Sequence, residues 1–151
     1  GARRTLARGT FPVTFDRDFS AVIRGCAESR PGRESSWINE PIIAAYSQLH
    51  ELGLAHSVET WRDGRIVGGI YGVAMGAAFF GESMFSRLDE GGSDASSAAL
   101  SVLVDHLRCR GFRLFDCQFA NEHTLRLGAI EISEEEYFEQ LDRALALPDA
   151  W

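Results

Sequence analysis

The sequence predicts a mixed α/β domain with a mostly antiparallel sheet flanked by helices. Three observations predict it. Residues 55–85 read as three consecutive strands joined by short turns. Stretches of helical periodicity stand on both sides of them. A short apolar run at 112–117 follows the last long amphipathic stretch as a buried strand that rejoins the sheet by a crossover.

In chain order, Phe11-Pro12-Val13-Thr14-Phe15 reads as a short edge strand, where proline is tolerated. Asp16 suits the N-cap of a helix running to about Glu28, with Phe19, Val22, Ile23 and Cys26 at helical spacing. Residues 30–36 form a loop. A second helix starts at Asn39-Glu40-Pro41 and runs through Ile42, Ile43, Tyr46, Leu49 and His50 to Gly53, a favourable residue just past a helix end. Alternation over 55–62 gives a strand, and Asp63-Gly64 is the strongest hairpin signal in the chain. Arg65 to Ala74 forms the next strand, Met75-Gly76 turns, and a third strand runs through Phe79 to Phe85. After a loop at 86–95, a helix from about Ser96 to Arg110 carries Leu100, Leu103, Val104 and Leu107 on one side, closed by Gly111. A short helix near 121–127 and a last one from Ser133 complete the order. Ser133 and Glu136 make a capping box there, ahead of Tyr137, Phe138, Leu141, Ala144 and Leu145.

The 151 residues suffice for one domain with a proper core, and the 45% apolar and 25% charged fractions are average for globular proteins. No run of 18 apolar residues is present to span a membrane, and the arginine-rich start lacks the apolar segment of a secretory signal. Cys26, Cys109 and Cys117 are odd in number and far apart, which points to reduced thiols in a cytoplasmic protein. The net charge of −7 is divided unevenly. Residues 1–33 hold seven arginines against Asp16, Asp18 and Glu28, about +4, and the remainder carries about −11. Residues 1–10 are expected to form a basic arm and residues 11–151 a single domain.

Three stretches carry a family resemblance: Ala55-His56-Ser57-Val58-Glu59-Thr60-Trp61; Val67 to Ala74 continuing to Gly81-Glu82-Ser83-Met84-Phe85-Ser86; and Phe115-Asp116-Cys117-Gln118. With Trp37-Ile38, Ala45-Tyr46, Leu49-His50 and Leu127-Gly128-Ala129, they occur in the order seen in leucyl/phenylalanyl-tRNA–protein transferases, which the chain resembles over roughly residues 12–138. The resemblance implies a fold like that of the GNAT N-acyltransferases. It also implies transfer of Leu, Phe or Met from aminoacyl-tRNA to proteins beginning with Arg or Lys, whose product is a degradation signal. No metal or organic cofactor is implied.

Asp116 and Gln118 lie two apart on a strand and share a face. By resemblance they form the catalytic pair, Gln118 contacting the reacting amine or carbonyl and Asp116 polarising the amine or taking its proton. The donor is already an activated ester, so orientation and proton handling are the main requirements. Glu82 is expected to face the cleft and pair with the acceptor's cationic side chain or ammonium. The positions matching the family's donor pocket are Ile70, Phe79, Met84, Leu100, Leu107 and Phe115, residue types that any core also contains. Trp37 is expected to stack on the terminal adenine of the tRNA. Ser83 and Ser86 have no His and Asp to orient them, which excludes a serine hydrolase. His50, His56, His106 and His123 show no metal-ligand spacing, and His50 and His56 read as buried hydrogen-bonding groups. Cys117 is expected to point away from the catalytic pair and not to act as a nucleophile.

Two features depart from the resemblance. On this reading the extra domain that family members usually carry before the equivalent of residue 10 is expected to be missing, and Asp94-Ala95-Ser96-Ser97 stands where they have a lysine-bearing loop. Two other readings follow: an acyl-CoA-dependent N-acyltransferase with Gly91-Gly92-Ser93 as a pyrophosphate turn, and a non-catalytic module that binds basic protein N-termini.

Overall fold

The computed structural model describes residues 5–6, 11–28, 36–92, 94–117 and 129–151. Its elements are β1 (Thr5–Leu6), β2 (Pro12–Phe15), α1 (Phe19–Ala27), α2 (Glu40–Glu51), β3 (Ala55–Arg62), β4 (Arg65–Met75), β5 (Ala78–Ser86), α3 (Ala95–Cys109), β6 (Leu114–Cys117) and α4 (Glu134–Leu145), with a 3-10 turn at Leu88–Glu90. They build one sheet in the order β1-β2-β3-β4-β5-β6, antiparallel except for the β5–β6 pair. The expected helix near 121–127 lies outside the described residues, as does most of the arm at 1–10.

Local chemistry sets most of the boundaries. Asp63 and Gly64 both adopt positive φ, 52° and 76°, the requirement of a two-residue turn whose twist matches the strands. Asn39 accepts from Ile42 N–H at 3.1 Å to start α2, and Ser133 accepts from Glu136 N–H at 3.2 Å to start α4. Two expectations fail. Pro12 is not at the sheet edge, because β1 pairs beyond it; Pro12 is the first residue of its strand, where a missing donor is tolerated. Asp16 does not cap α1 either. Asp18 does, accepting from Ala21 N–H at 3.1 Å, and Asp16 turns left-handed (φ 55°) to place its carboxylate against His56.

The sheet buries both faces. Val13, Val58, Ile70 and Phe79 pack against Leu100, Leu103 and Leu107 of α3 on one side. Tyr71 and Phe85 pack against Phe19, Val22, Ile23 and Ile43 of α1 and α2 on the other. At the β5–β6 end, Ala78 and Leu114 pack against Ala144 of α4. Glu59 is fully buried between β2 and α1. Thr14 Oγ1 donates to it at 2.6 Å and the Ser57 hydroxyl donates as well, joined by the backbone N–H groups of Arg17 at 3.1 Å and Asp18 at 3.4 Å. Burial pushes this carboxyl above its usual range; its four donors pull the other way and offset only part of the rise.

Candidate active site

The site lies where β5 and β6 run side by side. Opposite Tyr71 and Gly72 of β4 stand Ser83 and Gly81 of β5, so Glu82 is an extra residue, a β-bulge. Its consequence shows in the neighbours. Phe79 and Met84 both pack toward α3, although an unbroken strand would send residues five apart to opposite faces. The bulge needs Gly72, because a Cβ there would stand 2.3 Å from the Phe80 carbonyl oxygen and 2.6 Å from the Phe79 ring.

Glu82 accepts a hydrogen bond from Tyr46 of α2. Burial pushes its carboxyl above the usual 4.5, the Tyr46 donor draws it back, and the nearby charge of Asp116 adds to the net rise. Burial, then the charge of Glu82 and the same pairing, pushes the Tyr46 phenol up to about 12. In β6, Leu114 faces α4 and Phe115 faces α3, so Asp116 takes the α4 side. There it accepts from Tyr137 Oη at 2.8 Å. Burial, with this bond and the charge of Asp116, pushes Tyr137 up to about 12, so it remains a donor at neutral pH. Cys117 is pushed up to about 12 by burial and then by the Asp116 charge, which leaves it an unreactive thiol.

A cavity of about 420 Å³ opens at this edge of the sheet. Leu100, Leu107 and Phe115 form apolar wall, and Asp116 and Tyr137 line the same space. Three of the six pocket positions drawn from the sequence therefore share an opening with Asp116. Ile70 and Phe79, almost fully buried, and half-buried Met84 stand in the core cluster behind that wall. Gln118 lies outside the described residues. Trp37 is 52% exposed just before α2 and is not among the residues lining the cavity.

Tyr137 was legible in the sequence only as an apolar helix position, and Tyr46 as one within the Ala45-Tyr46 piece of the resemblance; the hydroxyl bond each makes to a carboxylate depends on tertiary placement. His56, as expected, is a buried hydrogen-bonding group. Its Nδ1 lies 2.8 Å from Asp16 Oδ2, and its ring stacks on Trp151 at 4.1 Å. His50 Nδ1 lies 2.8 Å from the Ala55 carbonyl oxygen. The Gly91-Gly92 turn is poorly suited to hold a pyrophosphate. Gly92 N–H is spent on the Arg87 carbonyl at 2.8 Å, and Asp94 carries the N-cap position of α3.

The sequence model of the leucyl/phenylalanyl-tRNA protein transferase family matches residues 1–142. The chain belongs to this family. A leucyl/phenylalanyl-tRNA–protein transferase of Maricaulis maris is 51% identical over 154 residues, covering 97% of this chain and 69% of the relative. That of Zymomonas mobilis is 56% identical over 136 residues, covering 90% of this chain and 49% of the relative, and that of Ruegeria pomeroyi is 54% identical over 142 residues, 94% and 64%. The chain thus spans from about half to about seven tenths of the length of these relatives. Among solved structures, a GNAT family acetyltransferase from Brucella melitensis in complex with acetyl-CoA superposes with a TM-score of 0.60 at 17% identity, over 87% of this chain and 82% of that one. A ribosomal-protein-alanine N-acetyltransferase from Brucella melitensis biovar Abortus 2308 gives 0.57 at 14% identity, over 82% and 93%. These likenesses establish a GNAT-like fold, as the family resemblance led one to expect. Among the described residues no helix is long and apolar enough to cross a membrane.

Proposed function

We propose that this transferase-family chain moves a leucyl, phenylalanyl or methionyl group from charged tRNA to the α-amine of proteins beginning with Arg or Lys. Such a product would serve as a degradation signal, and the site of action would be the cytoplasm. The single observation that carries the reading is the shared opening: an apolar wall of Leu100, Leu107 and Phe115 borders the same cavity as the Asp116 carboxylate. A Leu or Phe side chain held against that wall brings its ester carbonyl to the polar edge, converting a bimolecular encounter into a positioned one.

The chemistry then asks little of the protein. An α-amine has a pKa near 8, so a modest fraction is already free at neutral pH. Its nitrogen attacks the ester carbonyl carbon and forms the C–N bond, and the C–O bond to the ribose breaks. The amine proton passes by way of the Asp116 edge to the leaving ribose oxygen. Tyr137 fixes the orientation of Asp116 by donating to it. Gln118 is assigned to the reacting amine or carbonyl. Glu82, held by Tyr46, offers a second negative group near Asp116 for the acceptor's Arg or Lys side chain. Trp37 is assigned to the terminal adenine.

The test is transfer from Leu-tRNA to an Arg-initiated peptide by the wild type, Asp116→Ala and Gln118→Ala. The reading expects product from the wild type and a large loss in both variants. A wild type that binds the peptide yet forms no product overturns it in favour of a binding module, and product only with acyl-CoA overturns it in favour of an N-acyltransferase.

A further inference from the structure

The mouth of the cavity carries two positive charges that the chemistry above does not use. Arg108, in the last turn of α3, and Arg113, just before β6, both line the cavity and are exposed. Among the described residues, neither guanidinium makes a hydrogen bond or an ion pair. Several other arginines are engaged. Arg110 donates to the carbonyl oxygens of Ala150 at 2.8 Å and Trp151 at 3.0 Å; Arg87 pairs with Glu28 and Arg24 with Glu40.

The same cavity also carries negative charge, since Asp116 lines it and stands close enough to Glu82 to raise that carboxyl. A chain of net charge −7 repels a polyanion overall, so an RNA end needs a local foothold. Guanidiniums provide one, since their planar fork matches phosphate oxygens in pairs. These charges also sort the substrates: an anionic donor is favoured beside Arg108 and Arg113, and a cationic acceptor beside the carboxylates.

We propose that Arg108 and Arg113 form a phosphodiester-binding rim that seats the 3′ end of the RNA donor while its aminoacyl side chain occupies the cavity. This rests on the transferase reading above and adds the residues that hold the donor's backbone. An RNA hairpin with a single-stranded 3′ tail, carrying leucine through a non-hydrolysable amide link, provides the probe. A 3′-leucylamido-adenosine without phosphate provides the comparison, and coenzyme A is a third ligand. Affinities of the wild type, Arg108→Ala, Arg113→Ala, the double variant and Arg108→Glu are measured by fluorescence anisotropy or competition across a salt series.

Each alanine variant is expected to reduce the slope of log affinity against log salt by about 0.7, and the double variant by about 1.4, the contribution of one phosphate per arginine on a single strand. Arg108→Glu is expected to weaken the RNA further, and the phosphate-free nucleoside is expected to bind all variants equally. An unchanged RNA slope overturns the proposal. So does an equal loss for RNA and nucleoside, which signals a collapsed slot, or a loss confined to coenzyme A, which assigns the rim to a pyrophosphate. If the wild type binds the RNA with the expected slope changes but transfers nothing, the rim stands and the transferase reading falls.

Discussion

Replacing Glu59 by alanine measures how strongly one buried carboxylate ties the sheet to the start of α1. Its oxygens accept from the Thr14 and Ser57 hydroxyls and from Arg17 N–H; the Asp18 N–H, at 3.4 Å, is long enough to count for little. Alanine strands the three shorter donors in a region where Ser57 is fully buried and Thr14 nearly so. At about 1–3 kcal/mol per stranded group, with some relief from hydroxyl rotation, the loss should be about 3–6 kcal/mol. At about 2–4 °C per kcal/mol for a chain of this size, the melting temperature should drop by roughly 10–20 °C. Glu59→Gln keeps one oxygen for Thr14 and Arg17, and its amide can donate to a turned Ser57 hydroxyl. The expected cost is therefore only about 1–2 kcal/mol. Urea unfolding at neutral pH, followed by tryptophan fluorescence, reads both values. A loss below about 1 kcal/mol for alanine, or equal losses for the two variants, would refute the reasoning. The pH dependence adds a check on sign. The folded-state pKa of Glu59 is raised, so the stability linked to its proton is present below the unfolded value of 4.5 and is lost as pH rises through the folded value. Stability of the wild type relative to the glutamine variant should therefore increase as pH is lowered from neutral toward 4.5.

Three further outcomes concern the site. Carboxyl NMR should find Glu82 titrating above 4.5; Tyr46→Phe should move it higher by removing a donor to the charged form, and Asp116→Asn should move it lower by removing a like charge. Tyr137→Phe removes a hydrogen bond to a charged acceptor at a half-exposed position, so kcat in the transfer assay should fall up to about tenfold with little change in stability. Gly72→Ala forces a Cβ against the Phe80 carbonyl, so thermal unfolding should show a loss of about 1–3 kcal/mol, with the Glu82 titration displaced as the bulge shifts.

The meander, the crossover strand and the helix starts at Asn39 and Ser133 were legible because local chemistry fixes them: alternation, a turn that needs two positive φ angles, and side chains that cap helices. Asp16 and Asp18 show where local signals are degenerate. Either aspartate can precede a helix, and the choice is made by Asp16's tertiary partners, His56 Nδ1 and Trp151 Nε1, the latter 135 residues away. The Glu82 bulge is a stronger case. Strict alternation cannot place Phe79 and Met84 on one face, so periodicity could not bring both into the cluster behind the cavity wall, whereas the family resemblance named both residues. Asp116 was read from its motif, but its Tyr137 donor came from a helix whose sequence shows only an amphipathic stripe. Arg108 and Arg113 looked like any other surface arginines until the cavity placed them at one mouth.

The most direct measurement is a crystal structure of the chain with a 3′-phenylalanylamido-adenosine. The account predicts the phenyl ring within about 4.5 Å of Leu100, Leu107 and Phe115. It also predicts the amide carbonyl within about 3.5 Å, directly or through one water, of a polar group on the edge that bears Asp116. A ring seated elsewhere, or a carbonyl facing away from that edge with the cavity filled, would contradict it.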